Sequence, residues 1–572
     1  MAYNILGINP GHNGSISLIS DGKLFYYLEE ERFSKLKRDA NPYKAIIEIC
    51  SKYEIHEIIC SGMNFPQESI QIPWTLENPF YALIRKFQKT TPKFTLSNKH
   101  HHLHHASSSF YSSGFDKAIT IVVDGGGSLT TFKKDKIKIK AFEIESIYVS
   151  EYPAKHHILY KRFAATKKYS NSRIIIDECY EIKDSLGIGK IYESITCWLG
   201  FNPLDGGKTM GLASYGKYNS NIPPLVKDER GNRDLFIPEY PLQGEIDVIS
   251  YPLFNLKSSK IKEFHKDSLK FDPLYADIAF HAQKETQELL AKFIKTSIDK
   301  TGIKKVCIGG GYALNCVSNY FLKKTFPDVE FFIDPLSYDG GTSLGAAKLE
   351  WYSKSNDTSI YPQKSYYLGI PQELSQVKNQ IKKYYNMFNP YKITPEQVAK
   401  LISERNIVTI FQGRSEAGPR ALGNRSILYD PTDPNGKDFV NKVKKREWFR
   451  PFAGTVLLEK ANEWFDMAGL EESPFMMYAM DVWPDKQEQI QAITHVDGTC
   501  RIQTVTEEQN SHYYKLIQEF EKITGVPILF NTSFNLAGDP LVETIEDALE
   551  TMLKSEMKYM YVPELEMLLE KK

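Results

Sequence analysis

The residues with the clearest potential for chemistry form a histidine-rich segment, His100-His101-His102-Leu103-His104-His105. Histidines four positions apart lie on one face of a helix, which is the spacing that two ligands of one metal ion need. Two pairs meet this condition, His100 with His104 and His101 with His105, and the spacing does not choose between them. The alternative is a solvated polar helix, but five histidines in six residues favour a metal site.

Two aspartates occupy comparable places in the predicted elements. Asp124 ends the apolar strand Ala118–Val123, and Asp339 precedes two glycines further along the chain. A carboxylate at the end of a buried strand is costly unless it is paired or binds a metal ion. A set of histidines and carboxylates suits iron, manganese or zinc and leaves positions open for a substrate oxygen.

A basic region in the C-terminal part suits anions. Arginines lie among glycine, proline and aromatic residues in 413–426 and 444–452. Planar guanidinium groups bind phosphate or carboxylate oxygens in pairs, so several together favour a multiply charged anion. The alternative is a structural ion-pair network with Glu416 and Glu447. Further on, a predicted buried strand ends in Asn531-Thr532-Ser533, whose neutral donors and acceptors suit a small amide-like group.

The elements that would hold the histidines and aspartates alternate between strands and glycine turns. Tyr3–Asn9, Ser15–Ser20 and Lys23–Leu28 read as strands, with Asp21-Gly22 as a hairpin turn. A strand, a glycine turn and two more strands recur between 118 and 144. Two such copies indicate a duplicated α/β unit that resembles the acetate- and sugar-kinase-like ATPase fold. The alternative is two unrelated hairpins.

Two further glycine elements follow, Gly309-Gly310-Gly311 after a strand and Asp339-Gly340-Gly341 at the start of a helix. Backbone N–H groups at such turns and helix N-termini can hold phosphate. Neither element matches the P-loop or the Rossmann pattern, so those two nucleotide-binding folds are disfavoured.

A polar break at Ser353–Pro362 is the predicted linker. Beyond it, Thr394-Pro395-Glu396-Gln397 has the pattern of a capping box with proline at the first helical position. That helix leads into the strand Ile407–Phe411. The sequence therefore predicts a separate C-terminal α/β unit.

Bulk composition sets the class of protein. With 572 residues the chain is long for one core, and 42% hydrophobic and 25% charged residues are typical of a globular protein. The 71 basic and 71 acidic residues balance, which argues against a nucleic-acid-binding protein. Seven scattered cysteines without a CxxC pair, no signal-peptide pattern and no apolar run of about 18 residues predict a soluble cytoplasmic protein with reduced thiols.

Several motifs occur in order over nearly the whole chain: 101–106, Val123-Asp124-Gly125, 206–213, Gly309 through Asn315, Asp339-Gly340-Gly341, 418–423, 444–451 and 530–534. Together they resemble the O-carbamoyltransferase family that includes nodulation protein U and the cephalosporin and tobramycin carbamoyltransferases. The resemblance covers both predicted units.

The resemblance implies a two-domain transferase with an α/β fold. Residues 1–362 would form a duplicated actin- and sugar-kinase-like domain that binds nucleotide and a divalent metal ion, iron with manganese or zinc as alternatives. It would be similar to the subunit that transfers threonylcarbamoyl groups to tRNA. Residues 363–572 would form a YrdC-like domain that makes carbamoyladenylate from carbamoyl phosphate and ATP with magnesium, releasing pyrophosphate. The first domain would then transfer the carbamoyl group to an acceptor hydroxyl.

The resemblance also implies roles for individual residues. The metal ligands would be His101, His105, Asp124 and Asp339. His12 would be a catalytic residue beside the acceptor. The substrate-binding residues of the second domain, of which Arg420 and Lys444 would also be catalytic, would be Arg420, Lys444, Arg446, Arg450, Arg501 and Asn531. Nucleotide contacts in the first domain would come from Gly125, Gly126, Gly127, Lys208, Gly309, Gly310, Gly311 and Asn315.

The predicted acceptor is a small hydroxylated molecule of the kind modified in natural product biosynthesis. One alternative keeps the fold and makes a nucleotide or a nucleic-acid base the acceptor, although the balanced charge disfavours a nucleic-acid partner. The other is a nucleotide-binding scaffold without chemistry, which the intact histidine, aspartate and arginine positions disfavour.

Overall fold

The structure is a computed structural model that describes residues 2–62, 78–97, 99–134, 137–165, 173–176, 179–183, 187–222, 225, 227–228, 238–239 and 273–572. The fold is α/β: β-sheets with both parallel and antiparallel strand pairs are combined with helices in two units. The first unit is drawn from 1–25 and 40–363, and the second from 26–39 and 364–572. Among the described helices, none is both long and apolar enough to cross a membrane.

The first unit begins with a mixed five-stranded sheet. Its strands are β1 (Asn4–Asn9), β2 (Ser15–Ser20), β3 (Lys23–Glu29), β4 (Glu57–Cys60) and β5 (Lys93–Leu96), in the order β3-β2-β1-β4-β5. β1 pairs antiparallel with β2 and parallel with β4. The three strands predicted between residues 3 and 28 are therefore confirmed. The helices of this part are α1 (Glu30–Ser34), α2 (Tyr43–Cys50), α3 (Pro79–Arg85) and α4 (His101–Ser113).

The second sheet of this unit repeats that pairing. Its strands are β6 (Lys117–Val123), β7 (Leu129–Lys134), β8 (Ile137–Glu151), β9 (Lys155–Ala165), β10 (Arg173–Ile175), β11 (Tyr180–Lys183), β14 (Lys305–Gly309) and β15 (Glu330–Ile333). β6 pairs antiparallel with β8 and parallel with β14, as β1 does with β2 and β4. A separate ribbon joins β12 (Lys227–Asp228) and β13 (Pro238–Glu239). The helices are α5 (Ile188–Trp198), α6 (Gly206–Ala213), α7 (Pro273–Thr301) and α8 (Cys316–Thr325).

Helices α4 and α9 (Thr342–Ser355) form a layer between these sheets. α9 packs on β1, β2 and β4 and on α4, which packs on β6 and β14. The two helices approach so closely that a Cβ at Gly345 would lie 1.8 Å from the carbonyl oxygen of His104, so only glycine fits there. The predicted linker, 353–362, begins too early in the chain, because residues 353–355 are the last residues of α9. Asn356, with φ +51°, caps this helix at its C-terminus.

The second unit holds a nine-stranded mixed sheet in the order β16-β24-β23-β17-β18-β22-β19-β21-β20. Its strands are β16 (Phe388–Lys392), β17 (Val408–Phe411), β18 (Arg425–Tyr429), β19 (Ala453–Leu457), β20 (Ala479–Asp481), β21 (Thr499–Val505), β22 (Ile528–Ser533), β23 (Tyr559–Val562) and β24 (Met567–Lys571). Its helices are α10 (Leu374–Lys383), α11 (Pro395–Ser403), α12 (Gly436–Val443), α13 (Ala461–Trp464), α14 (Ser511–Thr524) and α15 (Ile545–Leu553).

Two local features complete the second unit. The capping box predicted at Thr394 is confirmed, with Gln397 reciprocating at the start of α11. The segment 26–39 also belongs to this unit: the N–H of Tyr27 donates to Leu368 O, and the guanidinium of Arg32 donates to Gly418 O at 3.0 Å. Nothing in the local sequence of 26–39 indicated that this segment belongs to the second unit.

Candidate metal centre and anion-binding site

Four buried side chains of the first unit meet where their elements begin or end. His101 and His105 lie one turn apart on α4, Asp124 follows β6, and Asp339 lies in a 3-10 turn that leads into α9. β6 and β14 are parallel neighbours, so their carboxyl ends lie side by side. The N–H of Gly311, beyond β14, donates to Asp124 Oδ1 at 3.0 Å and fixes that carboxylate.

These four residues, His101, His105, Asp124 and Asp339, are called the His2Asp2 cluster below. One ligand atom from each lies within 4.8 Å of the others. The two Nε2 atoms are 3.1 Å apart, and Asp124 Oδ2 is 3.2 Å from that of His101 and 3.7 Å from that of His105. Asp339 Oδ1 is 3.7 Å from both.

The His2Asp2 cluster fits a divalent metal ion. Ligand bonds of about 2.0–2.2 Å leave neighbouring ligands of one ion roughly 3–4 Å apart, the separations seen here. Two imidazole nitrogens and two carboxylates form a donor set that suits iron, manganese or zinc. Two nitrogens pointing at each other at 3.1 Å also share at most one hydrogen bond, so an ion between them satisfies both.

Within the His2Asp2 cluster, the charges of the histidines and aspartates shift one another's pKa. Burial acts to lower the pKa of His101, but Asp339 and Asp124 outweigh it and raise that pKa to about 9. Burial acts to raise the pKa of Asp124, and His101 and His105 together hold it well below its usual range. The carboxylates are therefore ionised at neutral pH, and His101 carries the compensating proton when no metal is bound.

This proton predicts a pH dependence. Because the folded-state pKa of His101, about 9, exceeds its ordinary value of 6.5, the stabilisation from its ionised form is complete below pH 6.5 and is lost as pH rises through about 9. A metal ion must displace the proton, so apparent metal affinity should rise about tenfold per pH unit across the same window. Co²⁺ titration and thermal unfolding of the metal-free protein between these two pH values measure both trends. An affinity that does not change with pH would contradict the assignment.

The other histidines of the segment serve the packing of α4. His102 Nδ1 lies 2.8 Å from Ser146 Oγ, and His104 Nε2 lies 3.0 Å from Ser97 Oγ. Burial lowers the pKa of both rings to about 3, so both are neutral at physiological pH. His100 precedes the helix as its N-cap. The histidines that lie together with the two aspartates are therefore His101 and His105, and not His100 and His104.

His12, in the turn between β1 and β2, lies beside the cluster. Its Nε2 is 3.1 Å from Asp339 Oδ2, and its Nδ1 is 3.2 Å from Asn13 Oδ1. One oxygen of Asp339 therefore faces the two cluster histidines while the other faces His12. The side chain of His12 is 39% exposed, so a solvent-borne molecule can reach it.

The glycines at 125–127 and 309–311 form two turns around Asp124. Gly310 has φ +83°, and a Cβ there would lie 2.3 Å from the carbonyl oxygen of Val123. Gly126 by contrast has open space where a Cβ would be. The turns bring bare backbone next to the His2Asp2 cluster, the arrangement that suits a phosphate.

The two remaining predicted nucleotide contacts have protein partners. Lys208 is paired with Asp205 at 3.0 Å and lies over the ring of Phe201. Asn315 caps α8 and exchanges hydrogen bonds of 2.8 and 3.2 Å with Gln283. A role for either in nucleotide binding stays a prediction.

Glu193 on α5 was missed by sequence reasoning. A Cβ at Gly125 would lie 2.6 Å from Glu193 Oε2, so the carboxylate lies against the first glycine turn. Burial raises its pKa, Lys190 at 2.6 Å opposes that shift, and Asp124 adds to it. Only the placement of α5 beside the turn reveals this residue, because nothing in its local sequence is distinctive.

In the second unit, strand register aligns two predicted substrate-binding residues. Ala453 of β19 pairs with Arg501 of β21 on one side and with Asn531 of β22 on the other. The amide nitrogen of Asn531 donates to Thr455 Oγ1 at 3.0 Å and to Gln503 Oε1 at 3.3 Å. Its Oδ1 is buried and, among the described residues, has no hydrogen-bond partner. That oxygen is suited to accept from an amide of a ligand.

Lys444, at the C-terminus of α12, is buried against β22. Its Nζ donates to Ser533 O and to Asn535 Oδ1 at 3.1 Å. Burial holds the pKa of Lys444 well below its ordinary value, and the positive charges of Arg446 and Lys37 lower it further. Both contacts are to neutral oxygens, and no carboxylate among the described residues forms an ion pair with Lys444.

Four arginines predicted to bind anions lie close together and are called the arginine cluster: Arg420, Arg446, Arg450 and Arg501. Burial lowers the pKa of Arg446 well below its usual range, and the other three lower it further, opposed only in part by Glu447. The guanidinium of Arg446 stacks over Phe452 at 4.9 Å. Such accumulated positive charge is unfavourable until an anion enters.

Two other arginines of the same region have structural roles. Arg425 is fully buried and donates to the carbonyl oxygens of Gln412 and Glu543. Arg414 donates to the carbonyl oxygen of Gly369 at 2.6 Å and stacks on Tyr26. These contacts are to backbone carbonyl oxygens, so both arginines hold neighbouring segments of the chain in place.

The acidic partners considered for that network behave differently from each other. Glu416 Oε1 accepts the backbone N–H groups of Leu422, Asn424 and Arg425, so it organises a loop. Glu447 lies 3.8 Å from Arg450 and does form an ion pair.

Comparison with known proteins identifies the family of this chain. The family model of the carbamoyltransferase N-terminus matches residues 76–348, and that of the carbamoyltransferase C-terminus matches residues 399–570. Nodulation protein NolO of Bradyrhizobium diazoefficiens is 30% identical over 470 residues, which cover 80% of this chain and 76% of that protein. This chain belongs to the carbamoyltransferase family. It is thus an enzyme of carbamoyl transfer, as its motifs predicted, rather than a scaffold.

Other relatives of this carbamoyltransferase extend the match. Nodulation protein NolNO of Sinorhizobium fredii is 29% identical over 580 residues, covering 96% of this chain and 77% of that protein. Nodulation protein U of the same species is 33% identical over 242 residues, 41% of this chain and 40% of its own. Full-length HypF in a phosphate- and nucleotide-bound form gives a TM-score of 0.35 at 14% identity, covering 61% of this chain and 55% of HypF.

Proposed function

We propose that this enzyme is an ATP-dependent O-carbamoyltransferase that makes carbamoyladenylate and passes its carbamoyl group to a hydroxyl of a small molecule. The arginine cluster with Lys444 carries the proposal, because several basic side chains close together suit two phosphorylated substrates. The setting we propose is cytoplasmic, in natural product biosynthesis.

The roles of the two units follow the same proposal. Residues 1–362, apart from the segment 26–39 that belongs to the second unit, form the carbamoyl-transfer domain with a duplicated actin- and sugar-kinase-like fold. The repeated pairing of β1 and β6 with their neighbours supports the duplication. Residues 363–572 form the YrdC-like activating domain. The glycine turns at 125–127 and 309–311, with Lys208 and Asn315, contact the nucleotide in the first domain.

Activation occurs in the second domain. Carbamoyl phosphate reacts with water to give carbamate and orthophosphate, and a carbamate oxygen then attacks the α-phosphorus of ATP, which expels pyrophosphate with magnesium. The phosphate oxygens are held by Arg446, Arg450 and Arg501. Negative charge that develops on these oxygens as P–O bonds form and break is stabilised by Arg420 and Lys444. Asn531 Oδ1 accepts from the carbamoyl NH₂ and orients it.

Transfer occurs in the first domain. A divalent metal ion held by His101, His105, Asp124 and Asp339 supplies Lewis acidity when bound. His12 accepts the proton of the acceptor hydroxyl as that oxygen forms a bond to the carbamoyl carbon, and AMP leaves with the electrons of the broken C–O bond. Asp339 orients His12 through the 3.1 Å contact with Nε2.

Pyrophosphate release tests the activation step. Purified enzyme with ATP, magnesium and carbamoyl phosphate, but no acceptor, is expected to release pyrophosphate only when carbamoyl phosphate is present. Lys444→Met should lower that rate by about 10²–10³-fold, because it removes a buried hydrogen-bond donor that is assigned to stabilise charge on the reacting phosphates. Lys442→Met, an exposed neighbour on α12, is the matched control and should keep the wild-type rate. Equal rates in the two variants would contradict the assignment of Lys444.

A further inference from the structure

Two buried carboxylates of β8 lie beside the His2Asp2 cluster and have no place in the chemistry above. Glu143 and Glu145 lie two positions apart, and each forms an ion pair with a basic residue of β9. Glu143 is paired with Lys161 and Glu145 with Arg162. Burial acts to raise the pKa of Glu143, but Lys161 and His102 lower it to about 2, so it is ionised at any physiological pH.

One oxygen of Glu143 joins two segments that carry metal ligands. Its Oε2 accepts the backbone N–H of His102 at 3.3 Å and that of Ser128 at 2.9 Å. The first N–H belongs to the opening turn of α4, which bears both cluster histidines. The second belongs to the turn that follows Asp124. The carbonyl oxygen of Glu143 also accepts the N–H of Gly127 at 2.8 Å.

The Nδ1 atoms of His101 and His105 are buried and have no hydrogen-bond partner within the described part of the chain. Metal-binding histidines usually donate from that second nitrogen to a carboxylate or carbonyl, which fixes the ring. Here the rings are placed by the position of α4, and that position is held at its first turn.

The fit around Glu143 is tight. A Cβ at Gly127 would lie 2.6 Å from Glu143 Oε2 and 2.7 Å from the ring of His102, so only glycine allows the turn to approach. The N–H of His101 adds a contact of 3.3 Å to Ser128 Oγ across the same junction. We infer that Glu143 is a positioning residue, which fixes α4 against the turn after Asp124 and so sets the geometry of the metal site.

The effect of a substitution at Glu143 on its hydrogen bonds depends on Lys161. The carboxylate has donors on both sides, the ammonium of Lys161 at Oε1 and two backbone N–H groups at Oε2. Glutamine has one acceptor oxygen, so Glu143→Gln must leave one side facing an NH₂ group. Removing the ammonium with Lys161→Met as well allows the glutamine oxygen to face the N–H groups again.

Co²⁺ titration of the metal-free protein, followed by visible absorption, tests the inference. Glu143→Gln is expected to weaken Co²⁺ binding by about 10- to 100-fold. The double variant with Lys161→Met is expected to return within about threefold of wild type. Glu145→Gln is the matched control: Glu145 lies on the same strand, is as buried and as well paired, but its Oε1 accepts Ile188 N–H at the start of α5 instead.

The outcomes separate this inference from the proposal on which it rests. Wild-type protein that binds no Co²⁺ would contradict the metal site itself. Wild-type affinity in Glu143→Gln, or an equal loss in Glu145→Gln, would overturn the role of Glu143 while leaving the site intact. Should the single variant not fold, the double variant decides: near wild-type affinity supports the inference, and a loss of about tenfold or more overturns it.

Discussion

Replacing Arg446 with methionine is expected to stabilise the ligand-free enzyme and to lower its carbamoyl-phosphate-dependent pyrophosphate release by about 10²–10³-fold. Both effects have one cause. Arg446 is held among Arg420, Arg450 and Arg501, and burial together with these charges lowers its pKa. Removing that repulsion should add about 1 kcal/mol to the free energy of unfolding, while methionine keeps contact with Phe452.

Thermal unfolding with and without carbamoyl phosphate measures this prediction. Wild-type enzyme should gain stability from the ligand, because its phosphate relieves the repulsion. Arg446→Met should begin more stable and gain much less. Arg425→Met is the contrasting variant: Arg425 donates to Gln412 O and Glu543 O, so its loss should destabilise the fold whatever the ligand. Destabilisation of ligand-free Arg446→Met would contradict the view that the cluster is strained without an anion.

His101→Ala is expected to lower metal affinity by more than about 100-fold and to leave pyrophosphate release unchanged. His101 Nε2 is 3.1 Å from that of His105 and 3.2 Å from Asp124 Oδ2, so its loss removes a central donor. The activating chemistry is assigned to the other domain and does not require this residue.

Metal content after equilibration with Co²⁺, measured alongside pyrophosphate release, gives both results. His104→Gln is the control on the same helix, because His104 is also buried but its Nε2 lies 3.0 Å from Ser97 Oγ. It should retain metal. Loss of metal in His104→Gln with retention in His101→Ala would favour the other pair of histidines, and loss of pyrophosphate release in His101→Ala would contradict separate sites.

Sequence patterns located much of the framework because they depend on local chemistry. The Asp21-Gly22 hairpin and the capping box at Thr394 need only their neighbours. Spacing alone reduced the histidines to two pairs. Choosing between them physically requires Asp124 and Asp339, which are distant in the chain and meet the pair at 101 and 105 only when β6 and α9 have packed.

Other features depend on tertiary contacts that no local pattern encodes. Arg425 and Arg446 both lie in the basic region of the sequence, but one is held by backbone oxygens and the other faces like charges. Glu143 depends on β8 pairing with β9, which brings Lys161 to one side of its carboxylate. The inclusion of 26–39 in the second unit likewise follows from contacts with residues more than three hundred positions away.

The position at which ATP is cleaved tests the central claim most directly. Enzyme is incubated with ATP labelled at the α-phosphate, carbamoyl phosphate and magnesium, without acceptor, and the labelled products are separated. Cleavage between the α- and β-phosphates, with label in carbamoyladenylate and in AMP formed from it, is the predicted result, and it should disappear without carbamoyl phosphate. Label that appears in ADP would show kinase-like transfer of the γ-phosphate and would contradict an adenylate intermediate.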